Sequence, residues 1–521
     1  MPSGINIKQL LNPTFYDHPV DRVELIETHI SWIFLAGDFA YKVKKPVNYG
    51  FLDFSTLQKR HYFCREELRL NRRIAPQFYL AVVAIGGDPD KPELNGFPVL
   101  EYAVKMKRFP QERQLDRMLT AGQLTSAHLE KFAANIAAIH QRIASAAADT
   151  PYGAPQSVME PVLQNFRQIR PLLSDDDKLS QLDQLESWSL SAYEQLRELL
   201  QQRKVAGFIR ECHGDIHLGN MAWYSDEPLL FDCIEFNVNL HWIDTINDIA
   251  FLIMDLDDRG EKVLAGHFLN CYLRATGDYA GMSLLAFYKV YRALVRAKVI
   301  GLRLSQPGLS ESERACDQKL LSSYLDLASS YTVASQPLLI ITHGFSGSGK
   351  TTFISQLAPL CGAVTIHSDL ERKRLYRLAA NESSQSPVAG GIYTEDAGKI
   401  TYNRLCDLAA IQLKAGMTVI IDATFIRKAD RNLAWQIARK YQVPFLILDF
   451  PLNENQLKKR LAIRSSQAGS VSEATEDVLE YQRAHEDPLS EQERAGLISV
   501  SSQSKPVQVA ERIIRSFHKS G

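Results

Sequence analysis

The stretch that decides the fold of the C-terminal part of the chain reads Gly344-Phe345-Ser346-Gly347-Ser348-Gly349-Lys350-Thr351-Thr352. It fits the pattern G-x-x-x-x-G-K-[ST] completely. Glycines let the backbone wrap closely around a phosphate group, and the helix that follows presents its positive end to the anion. In this pattern Lys350 supplies charge for the β- and γ-phosphates, and the Thr351 hydroxyl binds Mg²⁺. The stretch therefore predicts a binding site for a nucleoside triphosphate such as ATP together with Mg²⁺.

The residues around this loop alternate between two periodicities. An apolar run at 338–342 precedes the loop, and further segments follow that predict strands at 363–367, 418–422 and 444–449. Helical patterns separate them at 350–358, 395–415, 427–441 and 454–464. Such alternation predicts an α/β domain over 338–521, with a parallel sheet and helices on both faces.

Candidate catalytic groups follow two of these strands. Asp369 lies at the carboxyl end of strand 363–367, where parallel sheets place ligands, and it could accept a proton from an acceptor hydroxyl. Arg372, one turn later, would bind an anionic part of the substrate. The alternative is that Ser368 or Asp369 only caps the helix.

The next strand and the helix at 454–464 supply the rest of this predicted site. Asp422 ends strand 418–422, where a carboxylate would support the magnesium shell or contact substrate, and Thr424 is a further substrate-binding candidate. Arg460 and Arg464 are spaced i,i+4 and precede a Ser- and Gly-containing stretch, which favours a lid over the transferring phosphoryl group. A solvated helix face is the alternative for these two arginines.

A second phosphate-handling pattern lies at 213–232. It runs from His213 through Asp215 to Asn220 as H-x-D-x-x-x-x-N, and Asp232 follows after an apolar run. This spacing matches a kinase catalytic loop, in which the loop aspartate orients and deprotonates the acceptor hydroxyl. Asn220 and Asp232 are the predicted Mg²⁺ ligands, because Mg²⁺ prefers hard oxygen donors.

Such a site also needs a strand lysine for the nucleotide phosphates and a helix glutamate that pairs with it. Strand 39–44 offers Lys42 and Lys44 on one face, and the turn before it favours Lys42. Helix 56–74 offers Glu66 and Glu67, of which we favour Glu67. The stretch at 101–109 would form the hinge over adenine. No glycine-rich loop precedes Lys42, which argues against a protein kinase.

The predicted elements of the N-terminal part form an α+β arrangement. Strand-like segments dominate 1–110, and helical patterns dominate 111–330. A change of character at 331–337 predicts a linker between a first domain, 1–330, and the P-loop domain, 338–521.

Both parts resemble known families through these residues. The segment with Gly344–Thr351, Asp369, Arg372 and Asp422 resembles the small P-loop kinases of the polynucleotide-kinase and zeta-toxin-like group. The region 1–330 resembles aminoglycoside and choline phosphotransferase-like enzymes. In those enzymes an aspartate shortly after the metal-binding one stabilises the catalytic region, and Asp248 is its counterpart here. Together the two parts resemble bacterial proteins that combine an aminoglycoside phosphotransferase-like domain with a P-loop ATP-binding domain.

Composition excludes several other classes. The 521 residues carry 59 basic and 60 acidic side chains, a net charge of −1, which argues against a chain-wide grip on nucleic acid or membrane. A basic cluster beside Asp369, Arg372 to Arg377, leaves nucleic acid open only at the C-terminal domain. Seven cysteines without a C-x-x-C pair suit a reducing cytoplasm, and we expect no signal peptide and no membrane span. The sequence does not predict an oligomeric state.

These observations predict a bifunctional phosphotransferase, with each domain moving a phosphoryl group from ATP·Mg²⁺ to a hydroxyl of a small molecule. The alternatives are an ATP-binding regulator with one inactive module and a nucleic-acid 5′-end kinase. One further pattern stays open at this stage. Arg292, Arg296 and Arg303 share a helix face, which favours a salt-bridged surface over a binding site for an anionic acceptor.

Overall fold

Two sheets of different type organise the chain, one antiparallel and one parallel. The computed structural model describes residues 5–50, 52–305, 308–387, 389–451, 457 and 476–518. The chain divides into two units, the first spanning Met1–Asp255 with Phe287–Leu325 and the second spanning Leu256–Ala286 with Asp326–Gly521. The sequence boundary predicted at 331–337 stays a prediction, and these units are divided along a different line.

The first unit begins with a six-stranded antiparallel sheet in the order β1-β2-β3-β6-β4-β5. Its strands are β1 Val23–Glu27, β2 Ser31–Ala36, β3 Phe39–Lys44, β4 Tyr79–Asp88, β5 Lys91–Leu94 and β6 Val99–Lys107. Gly37 turns the chain between β2 and β3 with a positive φ of 55°, a conformation that glycine adopts without strain. Helix α1, Leu57–Arg72, packs on this sheet, with Thr56 capping its first turn.

The rest of the first unit is mainly helical. Its helices are α2 Leu115–Thr120, α3 Ser126–Arg142, α4 Pro155–Ile169, α5 Asp176–Val205, α6 Thr245–Asp258, α8 Leu285–Leu304 and α9 Glu311–Ser330, of which α6, α8 and α9 include residues of both units. Two short antiparallel pairs frame the loop at 212–220, β7 Ile209–Glu211 with β10 Trp242–Asp244, and β8 Met221–Tyr224 with β9 Glu227–Leu230.

The second unit contains a five-stranded sheet in the order β12-β13-β11-β14-β15, and every pairing in it is parallel. Its strands are β11 Leu339–His343, β12 Val364–His367, β13 Val419–Asp422, β14 Phe445–Asp449 and β15 Leu497–Ser499. Its helices are α10 Lys350–Leu360, α11 Ser368–Leu375, α12 Glu395–Lys414, α13 Lys428–Lys440, α14 Glu476–Ala484, α15 Glu491–Ala495 and α16 Pro506–His518. The predicted α/β class is confirmed.

A segment from well before the predicted linker completes this second unit. Helix α7, Lys262–Thr276, packs beside the edge strand β12. The Asn270 side chain accepts the backbone N–H of Thr365 at 2.7 Å and donates to the carbonyl of Ala363 at 2.9 Å. The hydroxyl of Tyr279 donates to the carbonyl of Thr365 at 3.1 Å. The segment 256–286 therefore satisfies backbone groups that the edge strand would otherwise expose.

Most predicted elements are present, with ends shifted by a few residues. The helix predicted at 454–464 lies outside the described residues. Among the helices that the structure does describe, none combines the length and the apolar character that a membrane crossing requires.

Candidate active sites

A buried carboxylate holds the loop at 212–220 in place. Asp248, on the first turn of α6, accepts the backbone N–H of His213 at 3.2 Å and that of Gly214 at 2.8 Å. It also contacts Nε2 of His140 at 3.1 Å. Gly214 has a φ of 88°, so the chain turns sharply just before Asp215. The stabilising place that the resemblance implied for Asp248 agrees with these contacts.

Asp215 lies at the tip of this loop, with its side chain 31% exposed. The amide of Asn220 donates to its Oδ2 at 2.8 Å, and Nε2 of His217 lies 3.4 Å from the same oxygen. Burial raises the pKa of Asp215, but the neighbouring His217 outweighs it and the pKa falls to about 2. The carboxylate is therefore ionised at neutral pH and has a fixed orientation, as an acceptor of a hydroxyl hydrogen requires.

A network of buried charges connects strand β3 to Asp232. Nζ of Lys42 contacts Asp232 and lies 3.1 Å from Oε1 of Glu67. Nζ of Lys44 lies 2.6 Å from Oε2 of Glu67 and also contacts Glu235. Burial lowers the pKa of Lys44, but Glu235 and Glu67 raise it above its ordinary value, so the ammonium keeps its charge.

This network bears on the two alternatives left open by the sequence. Glu67 is fully buried between the two lysines, whereas Glu66 pairs with Arg69 on the surface at 2.9 Å. Both lysines reach Glu67, but it is Lys42 that also reaches Asp232. The geometry therefore supports Lys42 and Glu67 as the functional pair. Sequence reasoning missed Glu235, whose signal is an acidic residue inside the apolar run that follows Asp232.

Asp232 presents a carboxylate of the kind that binds a hard cation. Its φ is 68°, and its backbone N–H is fixed by the Tyr79 hydroxyl at 3.0 Å. Its side chain is 41% exposed, so an oxygen faces solvent. Together with the Asn220 amide oxygen it fits the oxygen ligands that Mg²⁺ prefers.

The loop at 344–351 has the conformation expected of a phosphate-binding loop. Gly349, with a φ of 90°, precedes the first turn of α10, and Nζ of Lys350 donates to the carbonyls of Gly344 at 2.8 Å and Phe345 at 2.7 Å. The Thr351 hydroxyl donates to Oδ2 of Asp422 at 2.7 Å. Thr351 and Asp422, predicted on separate grounds, are therefore adjacent, and their oxygens fit a Mg²⁺ shell.

Two residues of this second site had no clear signal in the sequence. Nδ1 of His367 contacts Oδ2 of Asp422 at 3.0 Å. Burial raises the pKa of Asp422, but His367 and the other neighbours outweigh burial, so the pKa lies below its ordinary value. Gln482, on α14, accepts the backbone N–H of Ser346 at 3.0 Å and donates to the Ser346 hydroxyl at 2.9 Å. Gln482 is 136 residues from Ser346 in the sequence, so no local pattern could indicate it.

The remaining predicted residues fall into three groups. Asp369 lies on the first turn of α11 at the carboxyl end of β12, and Thr424 follows β13, where its hydroxyl contacts that of Tyr402 at 3.1 Å. Arg372 donates to the carbonyl of Ile392 at 3.0 Å and lies over the ring of Tyr393, so its contacts are internal. Arg460 and Arg464 lie outside the described residues.

One buried group elsewhere could hold a metal ion. The ligand atoms of His140, Cys212 and Asp248 lie within 4.8 Å of one another. Both oxygens of Asp248 already accept hydrogen bonds, and burial raises the pKa of the Cys212 thiol well above its ordinary value. Since zinc binds the thiolate, we assign this group to packing of the loop at 212–220.

Comparison with known proteins identifies both domains. Residues 58–285 match the phosphotransferase enzyme family, and residues 339–489 match an AAA domain family. Uncharacterized proteins of Mycobacterium tuberculosis and Mycobacterium bovis are each 30% identical over 468 residues, which cover 88% of this chain and 90% of the relative.

Three solved structures also resemble parts of the chain. The amicoumacin kinase hAmiN has a TM-score of 0.41 at 13% identity and covers 62% of this chain and 94% of its own. A choline/ethanolamine kinase family protein from Mesorhizobium loti has a TM-score of 0.33 at 12% identity, covering 60% and 93%. A gluconokinase from Sinorhizobium meliloti has a TM-score of 0.26 at 18% identity, covering 36% and 99%. All three TM-scores are below 0.5, so the assignment of the domains depends on the family matches.

Fold and sites together define a chain of two kinase-type domains, an aminoglycoside phosphotransferase-like domain followed by a P-loop kinase-like domain. Kinase-type domains imply the use of ATP. The chain belongs to the family of the mycobacterial proteins named above. The predicted resemblance and the predicted fold class are both confirmed.

Proposed function

We propose that the chain is a bifunctional ATP-dependent phosphotransferase, with each domain acting on a hydroxyl group of a small-molecule acceptor. The observation that carries this proposal is that each domain brings its own predicted phosphate-side and metal-side groups together. In the first unit these are Lys42, Glu67 and Asp232, and in the second Lys350, Thr351 and Asp422.

In the first unit Asp215 is the proposed base. It would take the proton of the acceptor hydroxyl while the acceptor oxygen bonds to phosphorus and the bond to the departing ADP breaks. Bound Mg²⁺ would neutralise the phosphate oxygens, and Asn220 and Asp232 would hold it. Lys42, fixed by Glu67, would contact the nucleotide phosphates.

In the second unit Asp369 is the proposed base, since it lies at the edge of the sheet that carries the phosphate loop. Thr351 and Asp422 would hold Mg²⁺, and Lys350 would contact the phosphates. Arg372, Thr424, Arg460 and Arg464 stay proposed substrate-side and lid residues.

A nucleic-acid 5′-end kinase receives no support from the basic cluster beside Asp369. Lys373 is buried and donates to the carbonyl of Ala380 at 3.0 Å, and Arg374 pairs with Glu371. Arg372, Lys373 and Arg374 therefore all have partners within the second unit, so most of the basic cluster is engaged in internal contacts. The small-molecule acceptor therefore remains the proposed partner.

Calorimetric titration of the full chain with a non-hydrolysable ATP analogue and Mg²⁺ tests the proposal. We expect a stoichiometry near two, falling to one in Lys350→Ala. Transfer of labelled phosphate to a panel of hydroxyl compounds would then separate an enzyme from a regulator. Binding at two sites without transfer would support the regulator, and a wild-type stoichiometry of one would contradict two functional sites.

A further inference from the structure

The three arginines on one face of α8 have different partners. Arg303 forms ion pairs with Asp317 at 3.3 Å and Glu313 at 3.8 Å, as the salt-bridged alternative predicted. Arg292 is buried and donates to Oδ1 of Asn247 at 2.8 Å and to the carbonyl of Gly214 at 2.9 Å. Arginines that share one helix face by sequence spacing therefore differ in role, since Arg303 is salt-bridged and Arg292 supports the backbone at Gly214.

Arg296, the middle member of the set, pairs with no carboxylate among the residues that the structure describes. Its Nε lies 3.5 Å from the Tyr324 hydroxyl, and its guanidinium lies over the Tyr324 ring at 5.9 Å. These contacts leave its two terminal nitrogens for another partner. A guanidinium offers a planar fork of donors that matches a carboxylate or phosphate, so this side chain has the geometry of an anion ligand.

Its position is beside the catalytic loop. Arg292, one turn earlier on α8, donates directly to Gly214, the residue before Asp215. The ring of Phe251 contacts both α8 and the loop, because it lies 4.9 Å from the Arg292 guanidinium and 5.4 Å from the ring of His217. Burial lowers the pKa of Arg296, but Tyr324 and the charges of Asp255 and Asp215 raise it above its ordinary value, as expected for a neighbour of the loop.

The carboxylates near this loop already have partners. Asp244 forms a two-point ion pair with Arg203 at 2.7 and 2.8 Å. Asp248 holds the loop backbone, and Asp255 accepts the backbone N–H of Leu218 at 2.9 Å. The fixed charges around Asp215 are therefore of both signs, and Arg296 differs from the others in offering a guanidinium that forms no ion pair with a carboxylate of the described residues.

We propose that the acceptor of the N-terminal site carries an anionic group, a phosphate or a carboxylate, which Arg296 binds while the reacting hydroxyl meets Asp215. This inference rests on the proposed phosphotransfer at that site and names its substrate class. It also sets this site apart from one for polycationic aminoglycosides, because a cationic group of such an acceptor would be repelled by the guanidinium of Arg296.

Anion binding is tested first, without any acceptor. Inorganic phosphate and acetate are titrated calorimetrically at constant ionic strength into the full chain carrying Lys350→Ala, which removes the competing phosphate loop. We expect saturable binding of at least one anion that is lost in Arg296→Gln. Arg303→Gln is the matched control, because Arg303 lies on the same helix as Arg296 but is paired with Asp317 and Glu313 of α9, so this variant should bind anions like the parent. Absence of saturable binding, or equal binding in Arg296→Gln, would overturn the proposal.

Transfer is tested next with the same protein and a panel of hydroxyl compounds sorted by charge. We expect the accepting compounds to be anionic, and the phosphate-bearing and carboxylate-bearing members distinguish the two chemistries. Arg296→Gln should raise KM by about ten- to a hundredfold with little change in kcat, and Arg296→Lys should recover part of the loss. Acceptors that are all neutral or cationic would overturn the proposal. Anion binding at Arg296 without transfer to any compound would instead refute phosphotransfer while supporting the anion site.

Discussion

The two candidate sites are assembled in opposite ways. In the second unit the proposed phosphate-binding groups come from nine consecutive residues, Gly344 to Thr352, and the glycines among them permit the loop conformation. In the first unit Lys42, Glu67, Asp232 and Glu235 come from three well-separated stretches and meet in a buried network. A contiguous site requires one local conformation, whereas a dispersed site requires the whole unit to fold correctly.

This contrast implies different responses to mutation. The dispersed site couples function to stability, because its charges are buried and each one balances another. The contiguous site can lose function with less effect on folding, because the loop lies at the surface end of an intact sheet. The following predictions, from the largest expected effect to the smallest, test that difference.

Asp215→Asn should give the largest effect. The amide cannot take the acceptor proton, so N-terminal transfer should fall by about 10²–10⁴-fold, with nucleotide affinity nearly unchanged. Single-turnover transfer by the full chain, with calorimetry for nucleotide binding, measures both quantities. The matched change in the second unit is Asp369→Ala, which should stop C-terminal transfer and leave N-terminal transfer intact. Wild-type transfer in either variant would refute that base.

Lys44→Met should destabilise the first unit by about 3–5 kcal/mol, because the buried carboxylates of Glu67 and Glu235 lose the ammonium that balances them. Lys42→Met should lower nucleotide affinity by about ten- to a hundredfold. Urea unfolding and nucleotide titration of both variants test this division of roles. If Lys44→Met were stable but lost nucleotide binding, Lys44 would be the lysine that contacts the nucleotide, and the preference for Lys42 would be wrong.

A surface-side ion pair of the second unit should show a smaller effect that depends on pH. Burial raises the pKa of Glu493, but the buried Arg431 and other donors lower it to about 2. Because this pKa is depressed, its stabilisation is present above the unfolded value near 4.3 and is lost as the pH falls towards 2. Because Glu493 is partly exposed and water screens the pair, Glu493→Gln should cost about 1–2 kcal/mol at pH 7. In urea unfolding from pH 7 to pH 3 the difference from wild type should shrink below about pH 4.5, and a constant difference would contradict this account.

The smallest effect is expected at His367. We expect His367→Ala to lower the affinity of the C-terminal site for nucleotide in the presence of Mg²⁺ by about tenfold, since the imidazole orients Asp422. His367→Asn retains a donor near the position of Nδ1 and should recover most of the affinity. Calorimetry in an Asp232→Ala background isolates the second site. Equal losses in both variants would indicate a packing role for the imidazole.

The sequence predicted the two units unequally well, for physical reasons. The loop at Gly344–Thr351 and the parallel strands could be predicted, because a short sequence motif and short apolar runs determine the local structure there. Asp215, Asn220 and Asp232 were readable through fixed spacing. Glu235 and Gln482 were not predicted, because their partners are distant in sequence and only tertiary packing brings them together. The arginines of α8 show the same limit, since one periodicity places them on a shared face but their neighbours decide which of them is paired.

The hydrogen bonds between Asn270 and the backbone around Thr365 have a consequence for how such a chain can arise and be divided. Helix α7, which covers the strand, is encoded before the predicted linker at 331–337, and strand β12 is encoded after it. A gene split at the linker would put the two partners on different polypeptides and leave an unprotected strand edge, which favours aggregation. A separately encoded C-terminal kinase domain would therefore need the coding sequence of residues 256–286 as well as its own.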